Sequence, residues 1–418
     1  MRFRSLSLAV SALSLAVLAA CSTAVTRGTD DDLGGSGDQK DAGINLGAGD
    51  GGGIVTPATP IGSLTGTVFA PNGSLPLAGA VVYLSEVKPA AIPTAAFCDK
   101  CLDLTNMQFT NSKSDGTFKL EFFKAQKMYL VVQKGAFRRV REVNLVAGEQ
   151  GVPAETTTLP STTSGDDNAP RMAVVKAPSS SYDQIELSLA KLGLTQVDLI
   201  DANASTSFIQ SATKLSKYHV VFLPCGAGSM TSCGDERTTA AAAKTALRSF
   251  VQGGGRLYVT DFSYEYVKQT WPKPITWGTG GTSWSQDGRG EACISSWDGQ
   301  AQWKDASLGA WMSEPTVNGS ATVELEGNWS WIKGVSTYSA QDENGVTQDL
   351  TPKVWANGRR GGNYEPTTVS FQDKCGRVLF STYHSENHGG TQLLPQEKAL
   401  LYILLEVNTC VGEPSIPQ

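Results

Sequence analysis

Histidine is the scarcest functional residue, with three in 418 positions, so a His-rich metal centre is excluded. Basic residues are no more plentiful than acidic ones: 34 Lys and Arg stand against 40 Asp and Glu, a net charge of −6. The chain has no basic block. Nucleic acid is therefore excluded as a partner, because neutralising phosphates needs clustered Lys and Arg. Charge is sparse at 18%, while 40% of residues are hydrophobic, so most of the chain can bury a core. The length gives a prior of roughly two to three domains. Glycine is the excess, at 44 residues, and it is concentrated locally.

The first twenty residues read as a targeting segment. Arg2 and Arg4 form a basic start, and Leu6 to Ala20 is an apolar run too short to span a bilayer as a helix. It ends in Leu18-Ala19-Ala20-Cys21, which resembles the lipobox of bacterial lipoproteins. The resemblance implies cleavage after residue 20 and a lipid on Cys21. Two or three acyl chains hold a protein stably on a membrane. Ser22 implies the outer membrane by the sorting rule of enteric bacteria. The expectation is a lipid-anchored cell-envelope protein, with the membrane as its first partner. Residues 21–60 then read as a disordered tether. Ten Gly and six Asp lie between Gly28 and Gly53 with few large apolar residues, which cannot offset chain entropy. The acidic spacing there is not that of an EF-hand.

Periodicity changes at Ile61. Leu64 to Phe69, Ala80 to Leu84, Thr117 to Phe122, Met128 to Gln133 and Val140 to Val146 are short strands. Pro71-Asn72-Gly73 and Ser114-Asp115-Gly116 mark turns between them. The spacing predicts a small antiparallel β-sandwich over residues 61–150. Gly66-Thr67-Val68, Pro76-Leu77-Ala78-Gly79-Ala80-Val81-Val82 and Ser114-Asp115-Gly116-Thr117-Phe118 resemble a carboxypeptidase regulatory-like domain. That resemblance implies a transthyretin-like sandwich, usually a non-catalytic module. The insert carrying Cys98-Asp99-Lys100-Cys101 departs from the pattern. Zinc or thioredoxin-like chemistry would need a second ligand pair or a helix start, so a structural Cys98–Cys101 disulfide is expected.

Residues 151–169, rich in Thr, Ser, Pro, Gly and Asp, read as a linker. From residue 170 to 412 strands alternate with helices. Met172 to Val175, Val197 to Ile200, His219 to Leu223, Arg256 to Thr260 and Arg377 to Tyr383 are strands. Tyr182 to Leu194, Thr238 to Val251 and Pro395 to Val407 are helical by spacing. The pattern predicts a doubly wound, flavodoxin-like α/β domain. Val220-Val221-Phe222-Leu223-Pro224-Cys225-Gly226, Phe250 to Val259 and Gly376 to His384 resemble the class I glutamine amidotransferase-like superfamily, especially its ThuA-like branch. Active members place a Cys nucleophile on the turn after the strand ending here at Thr260, and His-x-Glu near the C-terminal end. His384-Ser385-Glu386 matches the second signature, but Thr260-Asp261-Phe262-Ser263 has no Cys at the first. The missing thiolate argues against glutaminase activity.

An insert at about residues 266–365 holds all nine Trp. Trp271, Trp277, Trp284, Trp297 and Trp303 are the candidate binding face of this Trp-rich lobe, since Trp couples a large apolar face to one donor. The alternative is a loop-rich core. His384, Glu386 and His388 alternate past a strand end, where open α/β sheets bind ligands, and Asp261 ends a neighbouring strand. These donors could bind a metal or work as acid and base, but no metal and no cofactor is assigned. Cys225 could be a catalytic thiol paired with His384; a disulfide to Cys233 is the expected alternative. Beyond Cys21 seven Cys remain, so at least one is free or paired between chains. Three functional readings stand. The leading one is a non-catalytic envelope binding module, with carbohydrate as the favoured ligand. The second is a hydrolase using Asp261, His384 and Glu386, or Cys225 with His384. The third is a structural protein that binds an envelope partner.

Overall fold

The computed structural model describes residues 59–406, except 99–101, 229, 231–238, 281–288, 343–344 and 386–389. The expectations for Cys21, the tether, Cys101, Cys233, Trp284, Glu386 and His388 lie outside the described residues. Among those described, no helix is long and apolar enough to cross a membrane.

The first strands are β1 (Gly62–Thr67), β2 (Val81–Ser85), β3 (Phe109–Asn111), β4 (Thr117–Phe122), β5 (Lys127–Lys134), β6 (Phe137–Asn144) and β7 (Gly148–Gly151). They form two sheets, β4-β1-β7 and β3-β2-β5-β6. The alternation in β4 is visible in its burial: Phe118, Leu120 and Phe122 point into the core while Lys119 and Glu121 are exposed. These side chains meet Leu64 from β1 and Val82, Leu84, Leu130 and Val132 from the second sheet. β2 is buried on both faces. Its other face, Val81 and Tyr83, packs with Leu104, Val131 and Val140. One pairing is parallel, β1 with β7.

Residues 151–169 are not a free linker. They hold the one-turn helix α1 (Ala154–Thr157), and Leu159 and Ala169 are buried in the core. Asp167 receives a bidentate Arg141 at 2.7 and 2.8 Å. Burying those apolar groups and pairing the backbone of Asn168 with Arg138 docks the segment on the sandwich.

The α/β part begins with β8 (Met172–Val175), α2 (Ile185–Lys191), β9 (Val197–Ile200), α3 (Ala202–Ile209), α4 (Ala212–Leu215), β10 (Val220–Leu223), α5 (Ala241–Gln252) and β11 (Arg256–Thr260). After α6 (Tyr264–Thr270) come β12 (Ile275–Trp277), β13 (Cys293–Trp303), α7 (Ala306–Ser313), β14 (Glu324–Ser330) and β15 (Ile332–Val335). β16 (Tyr338–Gln341), β17 (Thr347–Leu350), β18 (Lys353–Arg360), β19 (Asn363–Asp373), β20 (Gly376–Ser381) and α8 (Pro395–Glu406) complete the elements of the described residues. The central sheet has nine strands in the order β14-β13-β18-β19-β20-β11-β10-β8-β9. The last five are mutually parallel. Renumbered within the α/β part, their order is 2-1-3-4-5, the flavodoxin-like order. The helices α2, α5 and α8 fall where the sequence periodicity puts them.

The inserted segment is not a separate lobe. Its strands β14, β13 and β18 join β19 and extend the same sheet antiparallel from β20. The described residues of the sandwich and of the α/β part also belong to one compact unit. Trp311 on α7 is fully buried and donates from Nε1 to the Pro76 carbonyl at 2.8 Å. Lys134, in β5, pairs with Glu406 at 2.6 Å. Cys98 is bonded to Cys375, with their Cα atoms 5.0 Å apart, which corrects the expected Cys98–Cys101 bridge. The reason is a close approach the local sequence does not encode. Gly254 has φ +98°, and a Cβ there would collide with the Phe97 carbonyl. The absent side chain lets the cysteine-bearing segment lie against the turn between α5 and β11.

Candidate functional site

The strands β8, β10, β11 and β20 lie side by side and parallel, so their carboxyl ends form one rim. The connection reverses direction between β8 and β10, the switch point where open sheets of this kind bind ligands. One polar side chain follows each of the four strands: Asp183, Cys225, Asp261 and His384.

Asp261 begins a single helical turn, Asp261–Ser263, directly after β11. It is fully buried and has φ +49°. A non-Gly residue in that region is uncommon, although Asp tolerates it better than most. The turn is held by the Ser263 hydroxyl, which donates to the Pro224 carbonyl at 2.6 Å. This bond fixes the end of β11 against the end of β10. His384 Nε2 lies 3.1 Å from Asp261 Oδ2, and the imidazole retains 14% exposure. Neither the Asp261 oxygens nor His384 Nε2 have an aligned hydrogen-bond partner among the described residues. The contact is an ion pair when the imidazole is protonated. Cys225 is a free thiol, fully buried, which corrects the expected Cys225–Cys233 bridge. Cys293 is disulfide-bonded. The donor atoms of Cys225, Asp261 and His384 lie within 4.8 Å of one another.

Asp183, between β8 and α2, braces the other three. Its carboxylate accepts from Thr260 Oγ1 at 2.9 Å and from the Ser385 amide and hydroxyl at 3.1 and 2.9 Å. Thr260 Oγ1 in turn accepts from the Cys225 amide at 2.8 Å. Asp183 thus links the residue before Asp261, the residue after His384 and the backbone of Cys225. The His384 backbone is fixed further by Gly327 and by Gln396, whose Nε2 donates to its carbonyl at 2.8 Å.

Burial pushes the Asp261 carboxyl up to about 6, opposed by the neighbouring imidazole. Burial acts to lower His384, but the Asp261 carboxylate outweighs it and the imidazole titrates above its ordinary value. Burial also raises Asp183, against the pull of His384 and its hydrogen bonds. The Cys225 thiol is held well above its usual range by burial and by the adjacent Asp261 carboxylate. Both effects disfavour the thiolate at Cys225, which weighs against a thiolate nucleophile paired with His384.

Of the tryptophans, Trp329 packs edge-on against Phe262, next to Asp261, at 5.9 Å, whereas the described candidates Trp271, Trp277, Trp297 and Trp303 make other contacts. Trp271 and Trp277 are buried. Trp271 donates to Asp373 at 2.8 Å, and Trp277 packs edge-on against Phe380 at 5.0 Å. Trp297 and Trp303 are half-buried, and Trp303 donates to the Ala321 carbonyl. Stacking on a ligand needs an exposed ring face, so the expected binding role of Trp271 and Trp277 is corrected to a core role.

No protein-family model matches the chain, and no curated protein does. Solved structures similar to it include a cytoplasmic protein of Salmonella typhimurium, with 16% identity and a TM-score of 0.33 over 56% of this chain and 96% of that one. A ThuA-like protein of Bacteroides uniformis has 13% identity and a TM-score of 0.34, over 57% and 92%. A GMP synthase component from Thermoplasma acidophilum has 8% identity and a TM-score of 0.32, over 56% and 92%. The fold assignment rests on the strand order itself.

Proposed function

We propose that the chain is a hydrolase whose water-activating site is the Asp261–His384 pair. The observation that supports it is the buried Asp261, in a positive-φ turn, 3.1 Å from His384 at the carboxyl-end rim of the parallel strands. Strained, imperfectly satisfied polar groups cluster at working sites. In this reading His384 takes a proton from water, and the Asp261 carboxylate stabilises the imidazolium that forms. The hydroxide attacks the electrophilic carbon or phosphorus, and the imidazolium then returns the proton to the leaving oxygen. The substrate meets the partly exposed edge of His384, because Asp261 itself is closed to solvent.

The non-catalytic carbohydrate-binding reading is weaker because two of its tryptophans are core residues. The envelope location and the lipid on Cys21 remain part of the proposal on the sequence alone. The test is a panel of chromogenic esters, phosphoesters and glycosides offered to the full mature chain. At least one class is hydrolysed, and Asp261→Asn and His384→Gln each lower that rate by about 10²-fold or more. Equal rates in both folded variants would remove the reading.

A further inference from the structure

The geometry points to a divalent transition-metal site, with zinc as its natural occupant, formed by Cys225 Sγ, the Asp261 carboxylate and His384 Nε2. This departs from the sequence expectation of no metal. It does not depend on the proposed hydrolysis: with a cation bound, His384 Nε2 and Asp261 would be its ligands, and a metal-bound water would take the place of the water activated by the pair.

Four observations carry the inference. The three donor atoms come from three different strand ends yet lie within 4.8 Å of one another. Two ligand atoms each about 2 Å from a tetrahedral zinc sit roughly 3.3 Å apart, and His384 Nε2 and Asp261 Oδ2 are 3.1 Å apart. Second, beyond their mutual 3.1 Å contact, the polar atoms facing the site have no aligned hydrogen bonds. Both Asp261 oxygens and His384 Nε2 are buried without a hydrogen-bond partner among the described residues. Buried polar atoms left unpaired are costly, and a coordinated cation is one way to satisfy all three together. Third, a buried free thiol faces a buried carboxylate. A cation gives that juxtaposition a favourable purpose, since metal binding displaces the thiol proton to solvent.

The fourth observation is the outer shell. Asp183 bonds Thr260 and Ser385, and Thr260 bonds the Cys225 amide. One buried carboxylate therefore braces all three ligand-bearing turns, as outer-shell groups do around metals. The donor set selects the metal. A thiolate disfavours magnesium and calcium, and thiolate with imidazole suits zinc and its spectroscopic substitute cobalt. Three protein ligands leave a fourth position for water, the pattern of catalytic zinc sites.

The test is titration of the full mature chain, stripped with a chelator, with Co²⁺ and then Zn²⁺. One equivalent of cobalt gives tetrahedral visible bands and a thiolate-to-cobalt charge-transfer band, and zinc displaces it. Cys225→Ser abolishes the charge-transfer band, and His384→Gln weakens binding by about 10- to 100-fold or more. Thr260→Val, which touches no ligand atom, weakens binding by about 10-fold through the outer shell. The proposal is overturned if no thiolate band forms, or if the band survives Cys225→Ser in a folded protein. Metal bound by a chain that hydrolyses nothing would refute the hydrolase reading alone. Hydrolysis by a chain that binds no cation would refute the metal alone.

Discussion

Replacing both Cys98 and Cys375 by Ser tests whether the sandwich and the α/β sheet form one cooperative unit. The bridge spans 277 residues of chain. The loop-closure entropy for that length is about 19 cal/mol/K, or about 5.6 kcal/mol at 25 °C. Two effects reduce this. Cys293, inside the loop, is itself disulfide-bonded, so the unfolded chain is already constrained. Measured disulfides also reach at most about 5 kcal/mol. The expected loss is about 3–5 kcal/mol, read from the urea midpoint of the double variant against the oxidised wild type. Peptide mapping of the unreduced protein should recover the Cys98–Cys375 pair. A loss below about 1 kcal/mol, or a map that joins Cys98 to Cys101, would refute the reasoning.

Three further outcomes follow from the packing. Trp311→Ala removes a fully buried ring that packs against Tyr402 at 5.3 Å and donates to Pro76; the chemical-denaturation loss should be about 3–5 kcal/mol. Thr260→Val removes the acceptor of the Cys225 amide and leaves Asp183 Oδ2 with the Ser385 hydroxyl alone, which costs about 1–3 kcal/mol by the same assay. His219 is buried, accepting at Nδ1 from the Arg171 amide and bonded at Nε2 to the Pro93 carbonyl, and burial lowers its pKa. The unfolded chain therefore takes up this proton first. The stability from neutral His219 is present above pH of about 6.5 and is lost as pH falls through that value toward the folded pKa. A pH series of unfolding midpoints should show this slope in the wild type and a shallower one in His219→Asn.

The α/β architecture was legible because its strands are apolar runs and its helices keep a 3.6-residue period, as in α5, whose buried residues are Ala243, Ala246, Leu247, Phe250 and Val251. The rim residues Cys225, Asp261 and His384 were legible because each directly follows a readable strand. Asp183 was not singled out. The signal was present, since it lies in the loop between a readable strand and a readable helix, but nothing local distinguishes it from a solvated turn residue. Its role comes from Thr260 and Ser385, 77 and 202 residues away. The Cys98–Cys375 pairing and the extension of the sheet by the Trp-bearing segment were hidden for the same reason. Both depend on contacts distant in the chain, while the adjacent Cys101 and the runs of Gly and Ser suggested local answers.

The most direct test of the account is the stability of metal-free Asp261→Asn. If Asp261 is held in place for chemistry, its buried charge and positive-φ backbone are a cost to the fold. Asn keeps the shape and tolerates that backbone conformation. The account predicts a denaturation midpoint equal to or above that of the metal-free wild type, in a protein whose hydrolysis of the responsive panel substrate falls by about 10²-fold or more. A loss of about 2 kcal/mol or more would contradict it, and would make the Asp261–His384 pair a structural ion pair.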